Sequence, residues 1–160
     1  MSEELLIRKT ARVLLVDDQG QTLLFKSFSE TNGDSFWYPP GGGLLDGEDF
    51  EQAARREIFE ETGIALLTDL RQFGTRESVF IFQSVRTLFD EVWFYAWVPA
   101  HQIDISGFTD FERSNVVETR WWNHSELLAT KDQLVPNNLT ELISELLLTG
   151  KLDGIRALPI

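Results

Sequence analysis

Residues 12–16 and 22–26 are short runs of Val, Leu and Phe on either side of Asp17-Asp18-Gln19-Gly20. Apolar runs around a polar tetrapeptide ending in glycine predict two strands joined as a hairpin. Aromatic and β-branched residues at 36–38, 78–83, 91–98 and 118–123 predict further strands, the last centred on Trp121 and Trp122. Between strand 36–38 and the next apolar segment stands Pro39-Pro40-Gly41-Gly42-Gly43. Two prolines end regular pairing and three glycines permit close backbone approach, so a loop that meets a ligand is expected here.

The pattern changes to a helical period in two places. Residues 50–62 follow Asp49 as N-cap, carry Gln52 in the capping-box position and stop at Gly63. Leu139, Leu142, Ile143, Leu146 and Leu147 form one stripe of a second helix, which packs into the core, with Asn138 and Glu141 read as a capping box and Gly150 as its end. Ser125 is expected to cap a short helical turn over 126–128, and 107–114 to be a loop. Mixed strands with flanking helices predict an α+β sandwich, and 160 residues fit one domain spanning 1–160.

On the first helix Glu57, Glu60 and Glu61 stand at i, i+3 and i+4 and share a face with Phe50, Ala53 and Ala54. A solvated charged face is the ordinary reading of such a run. Like charges at i,i+4 cost a helix about 0.2–0.5 kcal/mol per pair, however, and Arg56 relieves only part of this through its own i+4 partner, Glu60. A divalent cation relieves it better, and oxygen-only ligands suit magnesium or manganese.

Composition narrows the chemistry further. The chain has no cysteine, which removes thiol nucleophiles, thiolate metal sites and redox pairs. Acidic residues outnumber basic ones 26 to 14, for a formal charge of −12. Such a surface repels duplex nucleic acid, and a small polyphosphate substrate needs a local cation to approach it. With no apolar stretch of membrane-spanning length and no secretory signal pattern at the start, a cytoplasmic location without membrane partners is expected. A homodimer stays open.

Gly42, five residues, Glu48, seven residues, then Arg56-Glu57-Ile58-Phe59-Glu60-Glu61-Thr62-Gly63-Ile64 reproduces the complete signature box of the Nudix hydrolases, and the chain resembles that family. Seven fixed positions and two aliphatic ones match by chance on the order of 10⁻⁹ per starting point. Arg120-Trp121-Trp122 followed by Ser125-Glu126-Leu127 also looks like this family, so the resemblance extends over the domain and is weakest after Pro136. It implies the Nudix fold, an α/β/α sandwich around a mixed sheet. It implies that Glu57, Glu60 and Glu61 bind Mg2+, or Mn2+, with the Gly41 carbonyl as a further ligand. Arg56 would orient the glutamates, Glu48 would position the attacking water or the loop, and Glu57 would assist deprotonation. The implied reaction is attack of metal-activated water on a phosphoanhydride of a nucleoside triphosphate or another nucleoside diphosphate derivative.

Glu91, Glu112 and Glu118 lie beyond the box, and one of them is a candidate further ligand or base, Glu112 first because of its loop setting. Arg12, Lys26 and Arg76 are candidate phosphate contacts with no direction fixed by sequence. Trp37, Tyr38, Phe80 and Phe82 suit base stacking, but strand aromatics are more often core. His101 and His124 are expected at surface or turn positions. A competing function is a Nudix-fold module that senses a nucleotide without hydrolysing it, against which the intact carboxylate set speaks. An isoprenoid diphosphate isomerase of the same fold is implied to need a catalytic cysteine, which this chain lacks.

Overall fold

The computed structural model describes residues 4–67 and 69–160. Its elements run β1 Leu6–Asp17, β2 Thr22–Phe28, β3 Ser35–Tyr38, β4 Gly41–Gly43, α1 Phe50–Thr62, β5 Arg71–Phe82, β6 Val85–Val98, α2 Asp110–Asn115, β7 Glu118–Trp122, α3 His124–Ala129, β8 Gln133–Leu134, α4 Leu139–Thr149 and β9 Arg156–Ala157. The expected first hairpin forms. The Asp17 carboxylate accepts from the Gln19 and Gln21 amides, and Gly20 supplies the positive φ of 75° that the turn requires.

All nine strands join one mixed sheet in the order β8-β3-β2-β1-β6-β5-β9, with β4 also on β1 and β7 also on β2. β1 and β6 run parallel from Leu6 opposite Thr87 to Asp17 opposite Val98. By contrast, β1 pairs with β2 at Val16 opposite Thr22. Beyond that point the two strands serve different partners: β2 takes β3 and β7, while β1 takes β4, with Ala11 opposite Gly42. The sheet therefore splits, and Pro39-Pro40 carries the chain across the gap, held where the Val13 amide donates to the Pro40 carbonyl at 3.0 Å.

Strand alternation sorts the apolar residues into two cores. Leu14, Val16, Leu24, Trp93 and Tyr95 pack on one face with Leu139, Leu142, Ile143 and Leu146 of α4. Ala11, Val13, Leu15, Leu23, Phe25 and Phe94 pack on the other with Ala53, Ala54 and Ile58 of α1. Helices on both sides of a mixed sheet are the sandwich expected from the sequence. The α4 stripe is core as expected, with Leu147 at its margin.

Several local expectations are corrected. Residues 107–114 are not all loop: Thr109 and Glu112 form a reciprocal capping box that starts α2. Asn123, not Ser125, caps α3, again with a capping box to Glu126. The box read at Asn138 and Glu141 does not form, because Asn138 has φ −96° and ψ 18° rather than extended geometry and the Leu139 amide donates to the Pro136 carbonyl instead. β5 begins at Arg71, well before residue 78, and β6 at Val85; their buried positions include Arg76, Ser78, Thr87 and Glu91, so the apolar alternation that marks a strand is missing there.

Candidate active site

Helix α1 has the ends its sequence specifies. The Asp49 side chain accepts from the Gln52 amide, the Gln52 side chain accepts from the Asp49 amide, and Gly63 closes the helix in the left-handed conformation at φ 77°. Ala53, Ala54 and Ile58 fix the helix on the sheet, and this rotation turns Glu57 and Glu61 toward β4. Both contacts with β4 depend on glycine. A Cβ at Gly42 would stand 2.5 Å from Glu57 Cδ, and one at Gly41 would stand 1.9 Å from the Ala11 carbonyl oxygen. The Gly41 amide donates to Glu61 Oε1 at 2.8 Å, tying the glycine strand to the helix.

Opposite them comes Glu112 from α2. Gly107 admits this approach, because a Cβ there would lie 2.4 Å from the Glu60 carbonyl oxygen of α1. Ligand oxygens of Glu57, Glu61 and Glu112 then all lie within 4.8 Å of one another. Glu61 is buried, and burial pushes its carboxyl well above the ordinary carboxylate value, with a hydrogen bond and repulsion from Glu112 adding to the shift. Burial raises Glu57 too, against the pull of Arg56. Three crowded carboxylates that cannot all ionise alone are a donor set matched to a hard divalent cation.

Arg56 organises the exposed side of the cluster. Its guanidinium donates to Glu48 through Nε at 2.7 Å and Nη2 at 2.8 Å, to Glu57 at 2.9 Å, to Glu60 at 3.1 Å and to the Gly43 carbonyl at 2.9 Å. Glu48 also accepts from the Leu45 amide, and the Arg56 hydrogen bonds with this one hold its pKa at about 2. Glu48 is thus joined to Arg56 and the loop after β4. Glu60 lies outside the three-carboxylate group: one oxygen meets Arg56, and its side chain is 40% exposed. The Gly41 carbonyl accepts from Arg12 at 3.1 Å.

The other candidates separate clearly. Glu91 is buried and bound by Thr10, Arg12 and Arg76, while Glu118 is exposed at the start of β7. Arg12 lies over the Tyr38 ring, Arg76 reaches the Pro159 carbonyl, and Lys26 lies over Trp37. Trp37 is core, stacked edge-on against Trp122, and Tyr38 is held by Ser27 at 2.8 Å. Phe80 is 40% exposed, and Phe82 meets Phe111 of α2 edge-to-face. His101 is exposed, whereas His124 is half-buried and bonds Ser144 at 2.6 Å, a tertiary contact rather than a bare turn position. Arg8 is a positive neighbour of Glu57 that the sequence reading did not single out, since only the fold brings it beside Gly43.

Comparison with known proteins agrees with this geometry. The sequence pattern of the NUDIX domain matches residues 6–143. An RNA pyrophosphohydrolase of Wolbachia pipientis subsp. Culex pipiens is 41% identical over 63 residues, 39% of this chain and 37% of that protein. The NAD-capped RNA hydrolase NudC of Haemophilus influenzae is 45% identical over 51 residues, 27% of this chain and 19% of that protein. The chain thus spans little more than a third of the first relative and a fifth of the second. Among solved structures, a MutT protein from Methanosarcina mazei matches with a TM-score of 0.58 at 18% identity, over 94% of this chain and 99% of that one. The NUDIX domain of Shewanella oneidensis NrtR, complexed with ADP ribose, matches with a TM-score of 0.62 at 18% identity, over 94% and 91%. These two likenesses concern the fold. With its signature box complete and the domain pattern matched over most of its length, this chain belongs to the NUDIX domain family.

Proposed function

We propose that this protein is a magnesium-dependent hydrolase that cleaves a phosphoanhydride bond in a nucleoside triphosphate or another nucleoside diphosphate-linked molecule, with manganese as a substitute ion. The observation that carries this reading is the convergence of Glu57, Glu61 and Glu112 beside a glycine strand. Glu60 and the Gly41 carbonyl complete the cation-binding set. Each keeps acceptor capacity: Glu60 has one oxygen on Arg56, and a carbonyl that receives Arg12 retains a second lone pair. An ion bound there supplies Lewis acidity toward phosphoryl oxygens and makes a coordinated water acidic near neutral pH.

The chain's own residues do the rest. Arg56 holds Glu57 and Glu60 in register and Glu48 fixes the loop through Leu45, so the carboxylates meet an ion without rearranging. Glu57, held by Arg56 and facing the glycine strand, accepts the proton of the attacking water in this reading. Glycines at 41 and 42 let the Ala11 carbonyl and the Glu57 carboxylate close directly on β4, so the cluster lies against bare backbone. The names of the relatives, an RNA pyrophosphohydrolase and an NAD-capped RNA hydrolase, support diphosphate cleavage and add RNA ends to the substrates worth testing.

Release of phosphate or pyrophosphate from nucleoside triphosphates and triphosphorylated RNA, and of a nucleoside monophosphate from ADP-ribose-type diphosphates, measured with magnesium, manganese and excess chelator, tests the reading. Turnover of one of them that the chelator abolishes is expected. Full activity in chelator overturns the metal dependence, and tight nucleotide binding with no product would identify a sensing module instead.

A further inference from the structure

The arginines around the carboxylate cluster are committed, with one exception. Arg56 is spent on Glu48, Glu57, Glu60 and Gly43, Arg12 on Glu91, Pro39 and Gly41, and Arg76 on Glu91, Ser78 and Pro159. Arg8, half-buried on β1, makes no hydrogen bond or ion pair with any described residue. It is nevertheless held in place. Its Cζ sits 4.9 Å from the centroid of Phe82, itself packed edge-to-face on Phe89 and Phe111, and its Nη2 lies where a Cβ at Gly43 would be 2.9 Å away.

A guanidinium has five donors, and half-burial with none of them used leaves it short of water and of partners alike. The neighbouring Arg12 charge adds to the loss, and burial with this repulsion pulls Arg8 below its ordinary pKa. A bound anion would supply both partners and countercharge. The position fits one particular anion. Successive glycines of β4 face the two sides of the strand, Gly42 against the Glu57 carboxylate and Gly43 against Arg8, so one short backbone segment separates the cation-binding cluster from the open guanidinium.

We propose that Arg8 anchors the substrate by binding a non-bridging phosphoryl oxygen of the same polyphosphate whose scissile bond lies at the Glu57, Glu61 and Glu112 cluster. This rests on the hydrolase reading above. Phe82 serves by fixing the guanidinium plane, and the group Arg8 reads is phosphate, not base or sugar.

The test compares wild type, Arg8→Gln and Arg8→Lys with ATP and with inorganic tripolyphosphate, both in magnesium. Loss of a charge-assisted contact predicts a KM about 10- to 100-fold higher for both substrates in Arg8→Gln, with kcat within about threefold of wild type. Arg8→Lys should recover part of the loss, since it keeps the charge without the fork. The melting temperature should stay within about 2 °C, because no internal bond is removed. An unchanged KM, a KM rise with ATP alone, or a fall in kcat at constant KM would each overturn the assignment. If wild type hydrolyses neither compound, the hydrolase reading fails on these substrates and equilibrium binding of ATP in magnesium decides Arg8. At least tenfold weaker binding by Arg8→Gln then upholds the anchor, and equal affinity, or no binding by wild type, overturns it.

Discussion

Glu61 is buried beside two other acids on the face of α1 that packs against the glycine strand, where the proposed cation would need it ionised. Its raised carboxyl gives a measurable sign. The unfolded chain ionises near the ordinary value of 4.5 while the folded, metal-free chain keeps its proton, so the native state holds more protons and stability must fall as pH rises from about 4.5 toward the raised value. Thermal melts in chelator from about pH 5 to 8 should show that decline, and Glu61→Gln should flatten it. A level profile in the wild type would mean that Glu61 ionises normally. Magnesium should reverse the trend, because the ion binds the deprotonated form. Arg56 orders the neighbouring carboxylates. Five hydrogen bonds from one planar guanidinium align three carboxylates and a carbonyl, a geometry that lysine cannot reproduce. Arg56→Lys should therefore cost about 10- to 100-fold in activity or apparent magnesium affinity, read from a magnesium titration of turnover. Wild-type values would remove its orienting role.

At the scale of elements, α2 is short and exposed, yet it delivers the third carboxylate. Its start rests on the Thr109 hydroxyl accepting from the Glu112 amide while the Glu112 carboxylate accepts from the Thr109 amide. Thr109→Ala should remove about 1 kcal/mol of cap stabilisation, and the larger effect should be a weaker apparent magnesium affinity as Glu112 loses its fixed position. A denaturant midpoint lowered with magnesium affinity unchanged would uncouple the cap from the site. This helix also marks what local sequence discloses. Both ends of α1 were legible because Asp49, Gln52 and Gly63 act within a few residues of one another, and Thr109 with Glu112 is an equally local signal that the surrounding Gly, Ser and Asp residues obscured. Asn138 failed as a cap for the opposite reason: the chain entering from Pro136 sets its dihedrals, and no pattern within α4 records that. The site divides the same way. Glu48, Arg56, Glu57, Glu60 and Glu61 lie within one helix and its preceding loop, whereas the placing of Glu112 and Arg8 depends on the split between β1 and β2 and on glycines at 43 and 107, which are contacts across the fold.

The whole molecule separates the burden of stability from that of the site, and two substitutions should show it. Leu158 follows β9, buried against Gly74 in the core on the α4 side of the sheet, while Glu61 sits in the cluster beside α1 on the other. Truncating Leu158 to Ala removes apolar contacts and leaves a cavity, at a cost of about 2–5 kcal/mol, without touching any group near the glycine strand. Its kcat and KM should remain those of the wild type below its lowered melting temperature. Glu61→Gln should do the reverse. It removes the cost of keeping a buried carboxyl protonated, so metal-free stability near neutral pH holds or rises slightly, while turnover should collapse because the proposed cation would lose a ligand. Magnesium sharpens the contrast, since an ion at about 100 times its dissociation constant stabilises the state that binds it by about 2.7 kcal/mol. That gain should appear in full as a raised melting temperature for Leu158→Ala and be small for Glu61→Gln. Loss of metal-free stability in Glu61→Gln together with retained turnover and an undiminished magnesium shift would make the buried carboxylate a structural element, and the cation would then have to be bound elsewhere.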